Sequence, residues 1–221
     1  TGIMDQFIVR LGRAGHALFL DCRSLDYDLV PIAFENAVFI VADTAVSRGL
    51  AASKYNERVA ECREAVRLMN GKLGEQREHL RDFTSEDIER CREAMPDVVY
   101  RRARHVVTDN ERAVAACAAM RAGDPVGLGR LMDAGDRSLQ ADYEVTCPEL
   151  EAMTDAARGL PGCFGARMTG AGFGGCTVNL VAADQAEAFC DRLIGEYRRR
   201  TGRDGSALIS KAGAGASRLD L

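Results

Sequence analysis

Four glycines crowd into nine residues at Met168-Thr169-Gly170-Ala171-Gly172-Phe173-Gly174-Gly175-Cys176, directly ahead of the apolar run Thr177-Val178-Asn179-Leu180-Val181. Glycine accepts positive φ and lets a second backbone or a ligand come close, at an entropic cost that a plain connector seldom carries so often. Glycine-rich loops beside strands can present backbone N–H groups as a concave set of donors suited to phosphate oxygens. The spacing is not that of a P-loop, which needs Gly-Lys-Ser/Thr, nor that of a Rossmann fingerprint, which needs a following acidic strand end. The glycines alone leave open a ligand-binding loop or a tight turn leading into a strand. Ala171 in their midst demands an ordinary φ. Asp5, three residues after Gly2, falls in the first turn of a helix, where the helix dipole keeps a carboxylate ionised and a poor base. By itself it also reads as a favourable first-turn residue. Tyr55 heads an apolar helical stripe, and its bland reading is core packing with the hydroxyl at a rim.

The elements that must position these residues can be read in outline. A short helix follows Gly2, and strands run from His16 to Cys22 and, after a turn at Asp26-Tyr27-Asp28, to about Pro31. The run Ala37–Ala42 has the length and residue types of a buried strand and is where a second domain would start. Tyr55, Val59, Cys62, Val66 and Met69 recur at spacings of 4, 3, 4 and 3, one stripe on a helix with Gly71 and Gly74 as stops. Thr84 and Asp87 resemble a capping box. A longer helix carries Ala103, Val106, Asn110, Val114 and Cys117 on one side. Asp124-Pro125 supplies an N-cap and an N1 proline for the next, through Leu128, Leu131 and Met132. Thr146-x-x-Glu149 and Asp184-x-x-Glu187 open two more. The last of these turns Phe189, Cys190, Leu193, Ile194 and Tyr197 inward before a strand at Ala207-Leu208-Ile209. A helical block followed by glycine loop, strand, helix and strand is compatible with a ferredoxin-like α+β sandwich, among other α+β arrangements. The tail Lys211–Ala216 is a flexible tail or a close-packed turn, with flexible the preferred reading.

Composition narrows the function classes. A chain of 221 residues with 47% hydrophobic and 28% charged residues is an ordinary globular protein of one large or two small domains. A net charge of −4 argues against attraction to nucleic acid or an anionic membrane, and no apolar run approaches bilayer length. The eight cysteines form no Cys-x-x-Cys pair and have no histidine at ligand spacing, so they read as buried reduced thiols of a cytosolic protein. Cys62, Cys117 and Cys190 fall on apolar helix faces. The basic runs Arg101-Arg102-Ala103-Arg104-His105 and Arg198-Arg199-Arg200 lack aromatic interleaving and read as solvated helix faces with intrahelical ion pairs. His16 reads as a hydrogen-bonded structural residue.

The full wording of the glycine stretch resembles the third signature motif of the GHMP kinases, in the form found in galactokinases. Four further segments resemble the same family in the same order. They are Gly2-Ile3-Met4-Asp5-Gln6-Phe7 with Gly15–Leu25, Leu50–Arg58, Arg101–Val106 and Asp142–Leu150. The resemblance implies the GHMP fold, with residues 1–33 as the end of its N-terminal domain and residues 34–221 as its C-terminal domain. The C-terminal domain would be a ferredoxin-like sandwich with a helical insertion. It implies ATP-dependent phosphorylation of galactose to galactose 1-phosphate. Asp5 would lie against the sugar C1 hydroxyl, Gly2, Asp5 and Tyr55 would contact the sugar, and Gly170, Gly172, Gly174 and Gly175 would close over the substrate side.

Phosphoryl transfer asks mainly for positioning and charge neutralisation, and a loose transition state lets a carboxylate of pKa ~4 take the proton late. The family's catalytic arginine segment and Gly-Leu-Ser-Ser-Ser phosphate loop have no match here, so ATP and Mg2+ would be held mainly by residues outside this chain. No metal ligand is assigned within it, and the chain alone is expected to be inactive. The sequence departs from the family at Lys54, where many relatives carry glutamate, and at Asp43-Thr44-Ala45, where Asn-Ser/Thr-Asn is usual. An N-acetylgalactosamine kinase and a galactose sensor acting through a partner are the alternatives.

Overall fold

A computed structural model describes residues 2–47 and 51–217. The chain opens with α1 (Met4–Leu11), then β1 (His16–Leu20) and β2 (Tyr27–Pro31), which form an antiparallel pair with His16 opposite Pro31 and Leu20 opposite Tyr27. The strand β3 (Ala37–Asp43) leads to the helical block: α2 (Ala51–Leu73), α3 (Ser85–Cys91), α4 (Asp97–Arg121), α5 (Pro125–Ser138) and α6 (Pro148–Arg158). The chain then forms β4 (Cys163–Met168), β5 (Cys176–Ala182), α7 (Ala186–Thr201) and β6 (Ser206–Ser210).

The second sheet runs β4-β5-β3-β6, antiparallel throughout. With β3, β4, β5 and β6 counted one to four, this is the ferredoxin-like order, with the helical block inserted in the first crossover. Alternation along the strands feeds both faces of this sheet. Ile40, Ala42 and Val181 join Met153, Ala157, Phe189, Leu193 and Tyr197 beneath α6 and α7. Leu180 meets Cys117, Met120, Leu128 and Met132 of α4 and α5, together with Val30 of β2. A separate helical core unites α2, α3 and α4 through Met69, Ile88, Tyr100 and Ala103.

Local signals act much as their chemistry dictates. Thr84 and Asp87 form a reciprocal capping box, and Asp124 caps α5 by accepting from Gly127 N at 2.8 Å. Four details differ from the sequence reading. Gly71 lies inside α2, and only Gly74, at φ +72°, ends it. The N-cap of α6 is Cys147, because Pro148 takes N1, and the Thr146 hydroxyl donates to Glu151 instead. Asp184 sits in a short 3-10 turn, so α7 starts after Gln185 without a side-chain cap. The tail is docked against the end of α1: Gly215 N donates to Gly12 O at 2.7 Å, Ala216 N to Val9 O and Gly15 N to Ala212 O. The small residues of the tail permit that backbone contact, as an added Cβ on Gly215 would stand 2.8 Å from Val9 O.

Candidate functional site

The glycine loop is the turn of the β4–β5 hairpin, closed by Thr169 N donating to Cys176 O at 3.0 Å. Gly170, Gly172, Gly174 and Gly175 all adopt positive φ, and Phe173 joins them at 60°, while Ala171 keeps an ordinary φ. Two neighbouring segments hold the loop. Gly175 exchanges backbone hydrogen bonds with Thr44 and Val46 just beyond β3, and the Thr44 hydroxyl also donates to Gly175 O at 2.7 Å. On the other side Phe173 N donates to Val145 O at 2.8 Å. The fit explains two of the glycines, since an added Cβ would come within 2.0 Å of Val145 O at Gly172 and 2.6 Å of Val46 O at Gly174. Beneath the loop, Phe173 and Met168 pack with Leu139, Val145 and Leu150.

The outer edge of β4, which opens the loop, is held by carboxylates of α5. Ala166 N donates to Asp133 and Met168 N to Asp136, each at 2.9 Å, and Arg158 pairs with both acids. An edge strand is thereby covered and its amides satisfied.

Val145 is positioned by a turn of π-helix, Leu139–Tyr143, that ends with Glu144 in the left-handed region at φ 52°. Of the carbonyls at that end, Ala141 O accepts from Arg101 at 2.7 Å and the next three go to two buried arginines, in line with the need of helix-terminal carbonyls for outside donors. Arg102 of α4 donates to Asp142 O at 2.5 Å, and Arg58 of α2 donates to Tyr143 O at 2.6 Å and Glu144 O at 3.1 Å. Both arginines also bond Glu61, and Arg102 reaches the Glu144 carboxylate at 2.7 Å. Their residues are only 6% and 2% exposed. Arg101 and Arg102 together push the Glu144 carboxyl down to about 2.

The basic run at 101–105 is therefore no solvated face. Arg104 pairs with Asp142, and His105 is buried, stacked on Tyr143 with ring centroids 4.5 Å apart and bonded to Ser138 Oγ at 2.9 Å. Burial holds His105 down at about 4. The sequence alone does not assemble this cluster, because its acids lie some forty positions away. One signal was available: Arg58 and Arg102 occupy positions among the apolar stripes of their helices. The run at 198–200 does stay at the surface, where Arg199 and Arg200 pair with Glu196.

Tyr55 stands one turn before Arg58 on α2 and is 64% exposed, so it is not a core residue. The Tyr143 hydroxyl is raised by burial first, then by Cys62, with a smaller contribution from Tyr55. Segment 143–145 thus joins the glycine loop, through Phe173 N on Val145 O, to α2, the helix that carries Tyr55, through Arg58 on Tyr143 O and Glu144 O. Leu50, in the stretch that precedes Tyr55, lies outside the described residues. Asp5 is exposed in the first turn of α1, and Gly2 just ahead of it is exposed too. Their helix is tied through the docked tail to the strand that follows α7. Among the described residues no hydrogen bond or ion pair joins Asp5 to Tyr55 or to the glycine loop. No group of three or more His, Cys, Asp or Glu side chains among the described residues could hold a metal ion, and no helix among them is long and apolar enough to cross a membrane.

Residues 115–199 match the family described as GHMP kinases C terminal. Within that stretch the chain carries a GHMP kinase C-terminal domain. The likeness extends well beyond that domain. The chain is 50% identical over 216 residues to a galactokinase of Chloroflexus aurantiacus, covering 98% of the chain and 55% of that protein. It is 41% identical over 220 residues to a galactokinase of Homo sapiens, covering 100% of the chain and 54% of the relative. Its structure superimposes on Lactococcus lactis galactokinase complexed with galactose with a TM-score of 0.92 at 37% identity, over 99% of this chain and 56% of that one. A mevalonate kinase of L. major shares the fold, with a TM-score of 0.53 at 20% identity. The chain spans about half the length of the curated relatives it matches.

Proposed function

We propose that the protein containing this chain phosphorylates galactose at its C1 hydroxyl, with ATP as donor and Mg2+ as counter-ion. The reading rests on the structural match, over 99% of this chain and 56% of the other, to a galactokinase complexed with galactose. Residues 1–33 would belong to an N-terminal domain and 34–221 to the C-terminal domain, a division supported by the separation of the β1–β2 pair from the four-stranded sheet. Asp5 orients the attacking hydroxyl and accepts its proton late in the transfer, a role that suits an exposed carboxylate in the first turn of a helix. Tyr55 offers a ring face and a hydroxyl to the sugar, for which its exposure is the supporting observation. The 170–175 loop, with Gly2, shapes the substrate side. The phosphates and the metal fall mainly to residues beyond these 221.

The test is galactose-dependent ADP formation by the full-length protein. Asp5→Ala should lower kcat by about 10²-fold or more, the usual contribution of a positioned acid–base group. Absence of galactose-dependent turnover would refute the substrate, and wild-type kcat in Asp5→Ala would refute the role of the residue. The 221-residue chain alone is expected to turn over no sugar.

A further inference from the structure

We propose that Arg58 and Arg102 act together as a clamp that sets the glycine loop in register with Tyr55, which makes them positioning residues for the sugar site. The proposal deepens the reading above and rests on it for the word sugar; the mechanical part stands on the geometry alone. Arg58 and Arg102 come from different helices, yet their guanidinium groups share one oxygen, Glu61 Oε2, at 2.8 Å each. Between them they take three successive carbonyls, Asp142 O, Tyr143 O and Glu144 O. The next carbonyl, Val145 O, holds Phe173 N at the crest of the glycine loop. A shift of α2 against the 142–145 segment would therefore reach the loop within one residue, while Tyr55 rides on α2 a single turn from Arg58.

The loop cannot absorb such a shift. Its far side is fastened to Thr44 and Val46, and Gly172 and Gly174 already touch backbone carbonyls at the limit of approach. A planar fork of donors suits this task, because one rigid group can serve two carbonyls and a carboxylate at once. Lysine keeps the charge but has no fork, so Arg58→Lys and Arg102→Lys separate positioning from charge.

The decisive measurement is amide hydrogen exchange in the full-length protein. Arg58→Lys should accelerate exchange in the 168–176 peptide roughly tenfold, with α7 at 186–201 unchanged, as local opening rather than global loss of stability predicts. Arg102→Lys should do the same. Glu64→Ala, which breaks only an exposed pair with Arg67 on α2, should change neither. Unaltered loop exchange in both lysine variants, or acceleration spread evenly over α7 and β6, would overturn the clamp. In the full-length enzyme the same variants should raise the galactose KM by about tenfold and leave the ATP KM in place. An equal loss for both substrates would reduce the arginines to general stability. Should the full-length protein phosphorylate no sugar at all, the proposed function fails and the exchange experiment still decides the clamp.

Discussion

Replacing Gly172 with alanine probes the joint on which the loop depends. The residue sits at φ +83°, and an added Cβ would meet Val145 O at 2.0 Å, well inside any real contact. An L-residue in the left-handed region costs about 1–2 kcal/mol. The collision adds a second penalty, because Val145 must withdraw and its 2.8 Å bond from Phe173 N is lost. A broken hydrogen bond contributes about 1 kcal/mol, more where the carbonyl stays buried, and Val145 is a buried residue. Together these come to about 3 kcal/mol. For a chain of 221 residues that corresponds to a fall in Tm of roughly 6–12 °C. Gly71→Ala is the matched control, since Gly71 lies in mid-helix with open space around its Cβ position. It should stabilise by about 0.5–1 kcal/mol through reduced chain entropy. Thermal and urea unfolding of the three proteins side by side decide the matter. A Tm for Gly172→Ala within about 2 °C of wild type would refute the claim that the loop is held rigidly against Val145.

Acid should destabilise the chain in two stages. His105, at about 4 in the fold against an ordinary 6.5, stays neutral while the unfolded chain takes up a proton. Stability is therefore complete above pH 6.5 and falls as pH drops towards 4, by up to about 3 kcal/mol. Glu144, pushed down from 4.5 to about 2 by Arg101 and Arg102, adds its own loss only below pH 4.5. Urea midpoints followed from pH 7 to pH 4.5 should fall in the wild type and flatten in His105→Gln; equal slopes in both would contradict the assignment. Asp124→Ala should cost about 1 kcal/mol by uncapping α5, seen as a lower urea midpoint with faster exchange confined to the first turn of that helix.

Some of the architecture was legible because its causes are local. Capping at Thr84 and Asp124, the stop at Gly74, the inward stripe of α7 and the runs that became β3 and β5 each depend on neighbours within one turn or one strand. The strand β4 escaped notice for a tertiary reason. Cys-Phe-Gly-Ala-Arg-Met has no clear alternation, and its Gly165 is there to let α5 approach: a Cβ on Gly165 would stand 2.1 Å from Gly129 O, and one on Gly129 would stand 2.0 Å from Phe164 O. Two glycines that weaken their own elements thus permit a backbone-to-backbone contact between helix and strand.

The chemistry-bearing residues divide along the same line. Their types and motif wording, in Asp5, Tyr55 and the four glycines, were written in the sequence, and so was the family they point to. Motif chemistry depends on short runs of residues and survives without knowledge of the fold. Only the tertiary structure decided what surrounds them. It buried Arg102 and His105 where a basic run looked solvated, left Tyr55 exposed where a stripe looked internal, and pinned a glycine-rich tail to α1. Each outcome turns on partners far away in the chain, Asp142 and Glu144 for the arginines and Gly12 for the tail, and a charge or a backbone group has no fixed environment until folding brings its partner to it.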